Sequence, residues 1–561
     1  MTTPTVAEYL LNRLAELGID HIFGVPGDFN LGFLDQVTAA KGMTWVGNCN
    51  ELNAGYAADG YARVRGAGAV LSTFGVGELS LVNAVAGSYA ESVPVVAISG
   101  MPATGAAASG KPLHHTLGDG DYQHFSRMFA EITVAHTTLT ADNAAPEIDR
   151  VLGELMHHKR PVHINLPTDV VTAPCPAPAS PLPAAGDAAA DPARLEEFLA
   201  HCARLLGPAR TVTVLAGHHI DRCHLRTALA GLVEAGGTGM RTAAFSLGKS
   251  TVDETGPAFA GIYTGALSDE STRKAVEDTE CLILAGAEIT DIDTGGFTHH
   301  FDATPTIALH PDHAEAGPTR YDHLPLARAL DGLTRLLRAR PGLRPEARPT
   351  PARESSPVTA DGGGPLTQKA FWQRLSAALE PGDILIADLG TASFGAQELR
   401  LPAGVRFICQ TLWASIGYSL PAAFGAQLAA PGRRCVLVIG DGALQLTAQA
   451  IGTAARHGAA PVVLVLNNDG YTVERAIHGP EATYNDVAAW DYTALPAAFG
   501  AGDRAVTDRV TTAEELNGAL TRAAAAHREG RLSLVEAVLD RQDAPQLLNA
   551  LCERLASQNA Y

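Results

Sequence analysis

Short apolar runs bounded by Gly or Pro recur along the whole chain, and helical stretches separate them. The first third offers HIFGVPG (21–27), GAVLSTFG (68–75), PVVAISG (94–100) and VHINLP (162–167). The middle offers TVTVLAG (211–217), RTAAFS (241–246), CLILAGAEI (281–289) and PTIALHP (305–311). The last third offers DILIADLG (383–390), VRFICQ (405–410), CVLVIGDG (435–442), PVVLVLNN (461–468) and LSLVEAVL (532–539). These runs are apolar on both faces, as expected of parallel strands covered by helices on each side. At the N-terminus, Val6, Leu10, Leu14 and Leu17 fall at helical spacing, which predicts an amphipathic helix.

Two Pro/Ala/Gly-rich stretches without periodicity, 172–194 and 338–365, read as extended linkers. They divide the 561 residues into segments 1–175, 190–340 and 360–561, in keeping with ~150 residues per domain. The expected fold class is α/β, with three doubly wound parallel-sheet domains. In such sheets ligands bind beyond the carboxyl ends of the strands, so the loops after these runs are where chemistry is sought.

Charge and composition narrow the classes. The net charge of −19 disfavours unaided binding to nucleic acid or anionic membrane. Any phosphate ligand then needs local donors or a metal. Hydrophobic residues at 46% and charged residues at 18% fit a large packed core and exclude disorder. No run of 18 apolar residues predicts a membrane span, and no secretory signal is visible. The eight cysteines are scattered without a Cys-x-x-Cys pair, which reads as buried reduced thiols and a cytoplasmic location.

The sharpest signal lies between 435 and 471. One strand ends in Gly440-Asp441-Gly442 and a helix follows. A second strand ends in Asn467-Asn468-Asp469-Gly470, with 24 residues between Gly442 and Asn467. That length accommodates a helix and a return strand, so both strand ends can meet at one sheet edge. A carboxylate, an amide oxygen and a bent backbone form a hard-oxygen set suited to Mg²⁺. A lone Gly-Asp-Gly is no more than a tight turn; the pair of motifs is far more specific. Glu51, in GNCNELNAGYAADGYARVRG, stands at a helix start, where a carboxylate is a plain cap.

The paired motifs resemble the diphosphate site of thiamine-diphosphate enzymes. GVPGDFN (24–30), LHHTLGDGDYQHF (113–125) and NNDGYTVERAIHG (467–479) narrow the resemblance to the pyruvate and indolepyruvate decarboxylase group. It runs from about residue 5 to the C-terminus. The resemblance implies thiamine diphosphate and Mg²⁺, with Asp441, Asn468 and the Gly470 carbonyl on the metal. Thr73, Thr391, Ala414, Ile416, Gly440, Gly442, Ala443, Tyr471 and Val473 join these three in binding the cofactor. Glu51 takes the place of the carboxylate that activates the aminopyrimidine, Ile416 that of the side chain bending the cofactor, and the Ala414 carbonyl that of an acceptor for the amino group. Asp28, His114, His115 and Glu474 form the polar cluster over the reacting carbon. The implied reaction is non-oxidative decarboxylation of a 2-oxo acid to an aldehyde through a thiamine ylide and enamine.

Departures from pyruvate-specialised relatives point to a larger substrate. Ser393, beside Phe394, stands where they carry Trp, and Ile292 where they carry Tyr. Val473 and a C-terminal stripe of Leu547, Leu551 and Leu555 add apolar surface, although ordinary core packing explains such a stripe equally well. Phenylpyruvate, indolepyruvate or a branched-chain 2-oxo acid is expected; Leu389, where indolepyruvate decarboxylases carry Gln, weakens the case for indole. A carboligase and a pyruvate decarboxylase are the alternatives. The family architecture implies a homodimer at least and a homotetramer by preference. The other tandem histidines, His218-His219 and His299-His300, read as surface or loop residues.

Overall fold

The structure, a computed structural model, describes residues 3–178, 180–182, 191–345 and 364–558, the last four in backbone only. Three sheets carry the chain. The first contains β1 (His21–Gly24), β2 (Thr44–Gly47), β3 (Gly68–Thr73), β4 (Val95–Met101), β5 (Ala135–Thr138) and β6 (Val162–Pro167), in the order β2-β1-β3-β4-β6-β5. The second contains β7 (Val212–Ala216), β8 (Met240–Phe245), β9 (Phe259–Tyr263), β10 (Cys281–Ala285), β11 (Thr306–Leu309), β12 (His313–Ala316) and β13 (Thr319–Asp322), in the order β13-β12-β11-β10-β7-β8-β9. The third contains β14 (Ile384–Ala387), β15 (Arg406–Ile408), β16 (Cys435–Gly440), β17 (Val462–Asn467), β18 (Ala505–Val510) and β19 (Leu532–Val538), in the order β15-β14-β16-β17-β19-β18.

Each expected strand is present. The additional ones are the edge strands β2, β5, β9 and β18, and the antiparallel hairpin β12–β13 that finishes the second sheet. The parallel core strands are buried throughout because helices cover both faces. The N-terminal helix, Val6–Glu16, is closed by a Thr5–Glu8 capping box. The expected linkers are shorter than their composition suggests. A helix starts at Pro192, and the helix Leu326–Ala339 runs into the second stretch. Cys175 N–H also donates to the Pro4 carbonyl, which ties the start of the first stretch to the N-terminus. Positions 179, 183–190 and 346–363 of those stretches lie outside the described residues. Of the cysteines, all free, Cys49 is exposed rather than buried.

The first and third sheets are joined by two helices, Glu51–Arg65 and Ser419–Ala429, rich in Ala and Gly. Small residues let their backbones touch. A Cβ at Gly60 would lie 2.1 Å from the Ala422 carbonyl oxygen, and one at Gly425 would lie 1.9 Å from that of Ala57. Beside this crossing, buried Arg63 donates to Asp59 (2.6 Å), Glu91 (2.9 Å) and the Cys409 carbonyl (3.2 Å), while Tyr418 donates to Asp59 (2.6 Å). Glu91 also accepts from the Leu412 amide at 2.8 Å, and Arg222 of the second sheet donates to the Glu91 carbonyl at 3.1 Å. One buried ion cluster therefore touches all three sheets.

Gly60→Ala tests the crossing. In an ordinary helix interior this change stabilises by about 1 kcal/mol. Here overpacking at about 1–3 kcal/mol outweighs that gain, so the thermal midpoint should fall. A raised midpoint would show that the helices do not approach so closely.

Candidate active site

The strand orders define where each sheet reverses direction. In the first sheet this is between β1 and β3, and in the third between β14 and β16. Asp28 follows β1, Thr73 ends β3 and Glu51 follows β2; Asp388 and Thr391 follow β14 and Asp441 follows β16. The expected residues thus collect at two switch points, the crevices where doubly wound sheets bind ligands.

In the first sheet, Glu51 opens its helix behind an Asn50 cap and is half-buried. The turn Gly75–Gly77 lies against it: a Cβ at Gly77 would lie 3.1 Å from Glu51 Oε1 and 3.3 Å from Thr73 Cγ2. Burial raises the Glu51 carboxyl above its ordinary value, opposed by a bond from its own backbone N–H. Asp28 accepts from His114 Nε2 at 2.5 Å, and His115 Nε2 stands 3.6 Å from its other oxygen. Desolvation pulls the Asp28 carboxyl up, but the His114 bond and both imidazoles outweigh it and hold it below the ordinary range. Phe29 stacks on His114 at 5.0 Å, and Phe74, Tyr122, Phe125 and Met101 form a small buried core nearby, with Phe29 and Leu113 packed against it.

In the third sheet, Asp441 is buried and joins the two loops directly. Its Oδ1 accepts from the Gly442 amide at 2.7 Å and its Oδ2 from the Gly470 amide at 2.9 Å. Burial pushes its carboxyl up to about 6, against these two N–H donors. A cation supplied at this point would favour the ionised form. Asn468 is buried, and Gly470 holds φ +126°, with no space for a Cβ beside the Asn485 carbonyl. Gly442 packs under the Tyr471 ring. This donor set, a desolvated carboxylate, a buried amide and a bent backbone, fits a hard divalent cation.

Glu474 is exposed, on the short helix Thr472–Ile477, close enough to Cys552 of the C-terminal helix to perturb its thiol. Arg475 is buried and donates to the Asn468 carbonyl (3.1 Å), the Asp469 carbonyl and Asp486 (2.8 Å), which clamps the 468–470 loop from inside. Val473 faces Gly390, ahead of Thr391. Ser393 is fully buried, its hydroxyl on the Gly390 backbone. Ile292, Phe394, Leu547 and Leu551 are half-buried, whereas the inward stripe of the last helix is Leu548 and Cys552. The side chain of Leu555 lies outside the described residues.

Two further residues escape a sequence reading. Asp388, fully buried, accepts from the amides of Gly417 (3.1 Å) and Ser419 (3.1 Å) and from the Ser419 hydroxyl (2.6 Å). It thereby fixes the loop bearing Ile416 and Ala414, the latter at φ +62°. Glu78 accepts from the Gly75 amide at 2.7 Å and stands 3.3 Å from buried His163 behind the Glu51 turn. The only sequence sign of Asp388 is an acid ending an apolar strand; Glu78 shows itself as the third helical residue after a Gly. His218 and His219 are buried, contrary to the surface reading, because they follow β7 into the interior. His299 is half-buried and His300 exposed.

Comparisons with known proteins agree on all three sheets. Residues 4–125 match the thiamine pyrophosphate enzyme N-terminal TPP binding domain, 199–336 its central domain and 388–537 its C-terminal TPP binding domain. An alpha-keto-acid decarboxylase of Mycolicibacterium paratuberculosis is 48% identical over 544 residues, 97% of this chain and 95% of that protein. One of Mycobacterium tuberculosis is 47% identical over 554 residues, 99% and 98% respectively. The fold is shared with an X-ray structure of a candidate thiamin diphosphate-dependent enzyme from Mycobacterium smegmatis. Its TM-score is 0.76 at 20% identity, covering 96% of this chain and all of that one.

Asp388 titrates in a useful window. Its folded value of about 6 lies above the ordinary 3.8. Its contribution to stability is therefore full below 3.8 and is lost as pH rises through about 6. In Asp388→Asn that loss disappears. The wild-type midpoint minus the variant midpoint should fall from about pH 4 to about pH 6 and then flatten. A difference independent of pH would show that the carboxyl does not titrate there.

Proposed function

Because the chain belongs to the thiamine-pyrophosphate-dependent 2-oxo acid decarboxylases, we propose that it converts a bulky apolar 2-oxo acid to the aldehyde and CO₂. Phenylpyruvate, indolepyruvate and 4-methyl-2-oxopentanoate are the substrate candidates. The coenzyme supplies an electron sink for the bond that breaks. The residues of this chain do the rest.

Asp441, Asn468 and the Gly470 carbonyl would hold Mg²⁺, which offsets the diphosphate charge that an acidic protein without a nearby Lys could not. Glu51 holds or shares a proton at the aminopyrimidine, a task suited to a carboxyl raised by desolvation. Asp28, coupled to His114 and His115, and Glu474 supply and accept the remaining protons over the reacting carbon. Asp388 and Glu91 hold the Ala414–Ile416 loop in place. The observation that carries the substrate reading is Ser393. Its hydroxyl is turned onto Gly390, so no ring occupies that position. Half-buried Phe394, Ile292, Leu547 and Leu551 then leave apolar surface for a long side chain. Each extra buried methylene is worth about 0.8 kcal/mol.

A second copy of the chain completes the site in this reading. Val76 and Leu79, on the helix beside Glu51, are 51% and 45% exposed, and Leu446, on the Asp441 helix, is 50% exposed. Apolar side chains bared around both halves suit a dimer interface, with a homotetramer as the final assembly. Among the described residues no helix is long and apolar enough to cross a membrane, and a cytoplasmic location is part of the same proposal.

Metal-chelated, thiamine-free protein should be inactive, and both additives together should restore CO₂ release. Across pyruvate and the three larger acids, with aldehyde detection, kcat/KM should favour a larger acid over pyruvate by several-fold to about a hundred-fold. Preference for pyruvate would overturn the substrate reading, and acyloin as the main product with added aldehyde would mark a carboligase. Glu51→Gln should lower turnover by about 10²–10⁴-fold. Full turnover would remove Glu51 from the activation step.

A further inference from the structure

The middle sheet has a switch point of its own, to which the proposed reaction gives no role. It lies between β7 and β10, since the chain proceeds from β7 through β8 to β9 on one side and then crosses to β10 on the other. The loops beyond these two strand ends begin Gly217-His218-His219 and Gly286-Ala287-Glu288. They are pressed together: a Cβ at Gly217 would lie 2.3 Å from Ala287 Cα, and the His219 amide donates to the Gly286 carbonyl at 3.0 Å.

This convergence brings two imidazoles and a carboxylate to one point. One ligand atom each from His218, His219 and Glu288 lies within 4.8 Å of the others. His219 Nε2 stands 2.9 Å from Glu288 Oε1. Both histidines are almost wholly buried, 2% and 3% exposed. Yet His218 Nε2 and His219 Nδ1 are enclosed without a hydrogen-bond partner. A buried polar atom without a partner costs about 1–3 kcal/mol, a cost that a ligand at His218 Nε2 would relieve. A second group, His310, His313 and Glu315, follows β11, with the two rings stacked at 4.3 Å. His310 lies within electrostatic reach of His219 and Glu288.

We propose that His218, His219 and Glu288 form a transition-metal site of the zinc class at the switch point of the middle domain. Two neutral nitrogens and one carboxylate suit Zn²⁺, which takes such ligands and leaves a fourth position for water or a further histidine. The donor set argues against Mg²⁺ or Ca²⁺. Both take oxygen ligands, whereas two of the three donors here are imidazole nitrogens. The guanidiniums of Arg63, Arg160 and Arg222 also bear on the cluster, so the Glu288 carboxylate and the two nitrogens must outweigh them.

The test uses full-length holoenzyme, with thiamine diphosphate and Mg²⁺ retained. After exposure to Zn²⁺ and gel filtration, elemental analysis should find one zinc per chain. His218→Gln with His219→Gln should find none, and Glu288→Gln should weaken binding by about ten-fold or more. Co²⁺ in place of Zn²⁺ should give the visible bands of a low-symmetry site in the wild type, and should lose them in Glu288→Gln if the double variant fails to fold. Wild-type protein that retains no zinc and shows no cobalt bands overturns the proposal. So does equal zinc retention by the folded double variant.

Discussion

The Arg63 guanidinium sets the relation of the three sheets. It is buried, and its partners come from the helix that carries it (Asp59), from the turn after the next helix (Glu91) and from the third sheet (the Cys409 carbonyl). Such an arrangement is stable only complete. Removing one partner of a buried pair typically costs about 3–5 kcal/mol, because a charge is left uncompensated. The consequence reaches the chemistry through Glu91. One of its oxygens holds Arg63 and the other holds the Leu412 amide, two residues before Ala414. The carboxylate at 51 and the loop at 414–416 are therefore fixed by one network, although they belong to different sheets.

The chain solves an electrostatic problem with few cations. It carries −19 overall, and the loops that Asp441 joins, at 440–443 and 467–471, contain no Lys. Arg475 is turned inward onto the carbonyls of Asn468 and Asp469. Its role is to shape the loop. A cation bound at Asp441 would relieve the desolvation that raises its carboxyl. The loop is thus held by a permanent internal cation, whatever its outer face binds.

Much of this was legible from the residues alone. The buried parallel strands announced themselves as apolar runs ending in Gly or Pro, and the strands ending in Gly-Asp-Gly and Asn-Asn foretold two loops that meet, as the bond from the Gly470 amide to Asp441 shows. Edge strands such as β18, with Asp508 and Arg509, carry no such pattern because one side faces water. The hairpin β12–β13 is polar for the same reason. Asp388, Glu78 and Arg475 were not legible. Each acts by holding backbone that is distant in sequence or bent out of regular structure, and nothing local marks which charged residue will be buried. His218 and His219 were misplaced because tandem polar residues after a strand usually mean a surface turn, whereas here the strand end points inward.

Ala414 closes the account. Its φ of +62° is a left-handed conformation that disfavours an alanine by about 1–2 kcal/mol. Glu91 grips the chain just before it, and Asp388 grips the chain just after. The alanine therefore behaves as a loaded spring between two catches. Should either catch slip, the backbone would gain by rotating to the right-handed form, and the Ala414 carbonyl would swing with it. The order of this loop is thus close to an all-or-none property, since a half-secured loop has a downhill route to another shape.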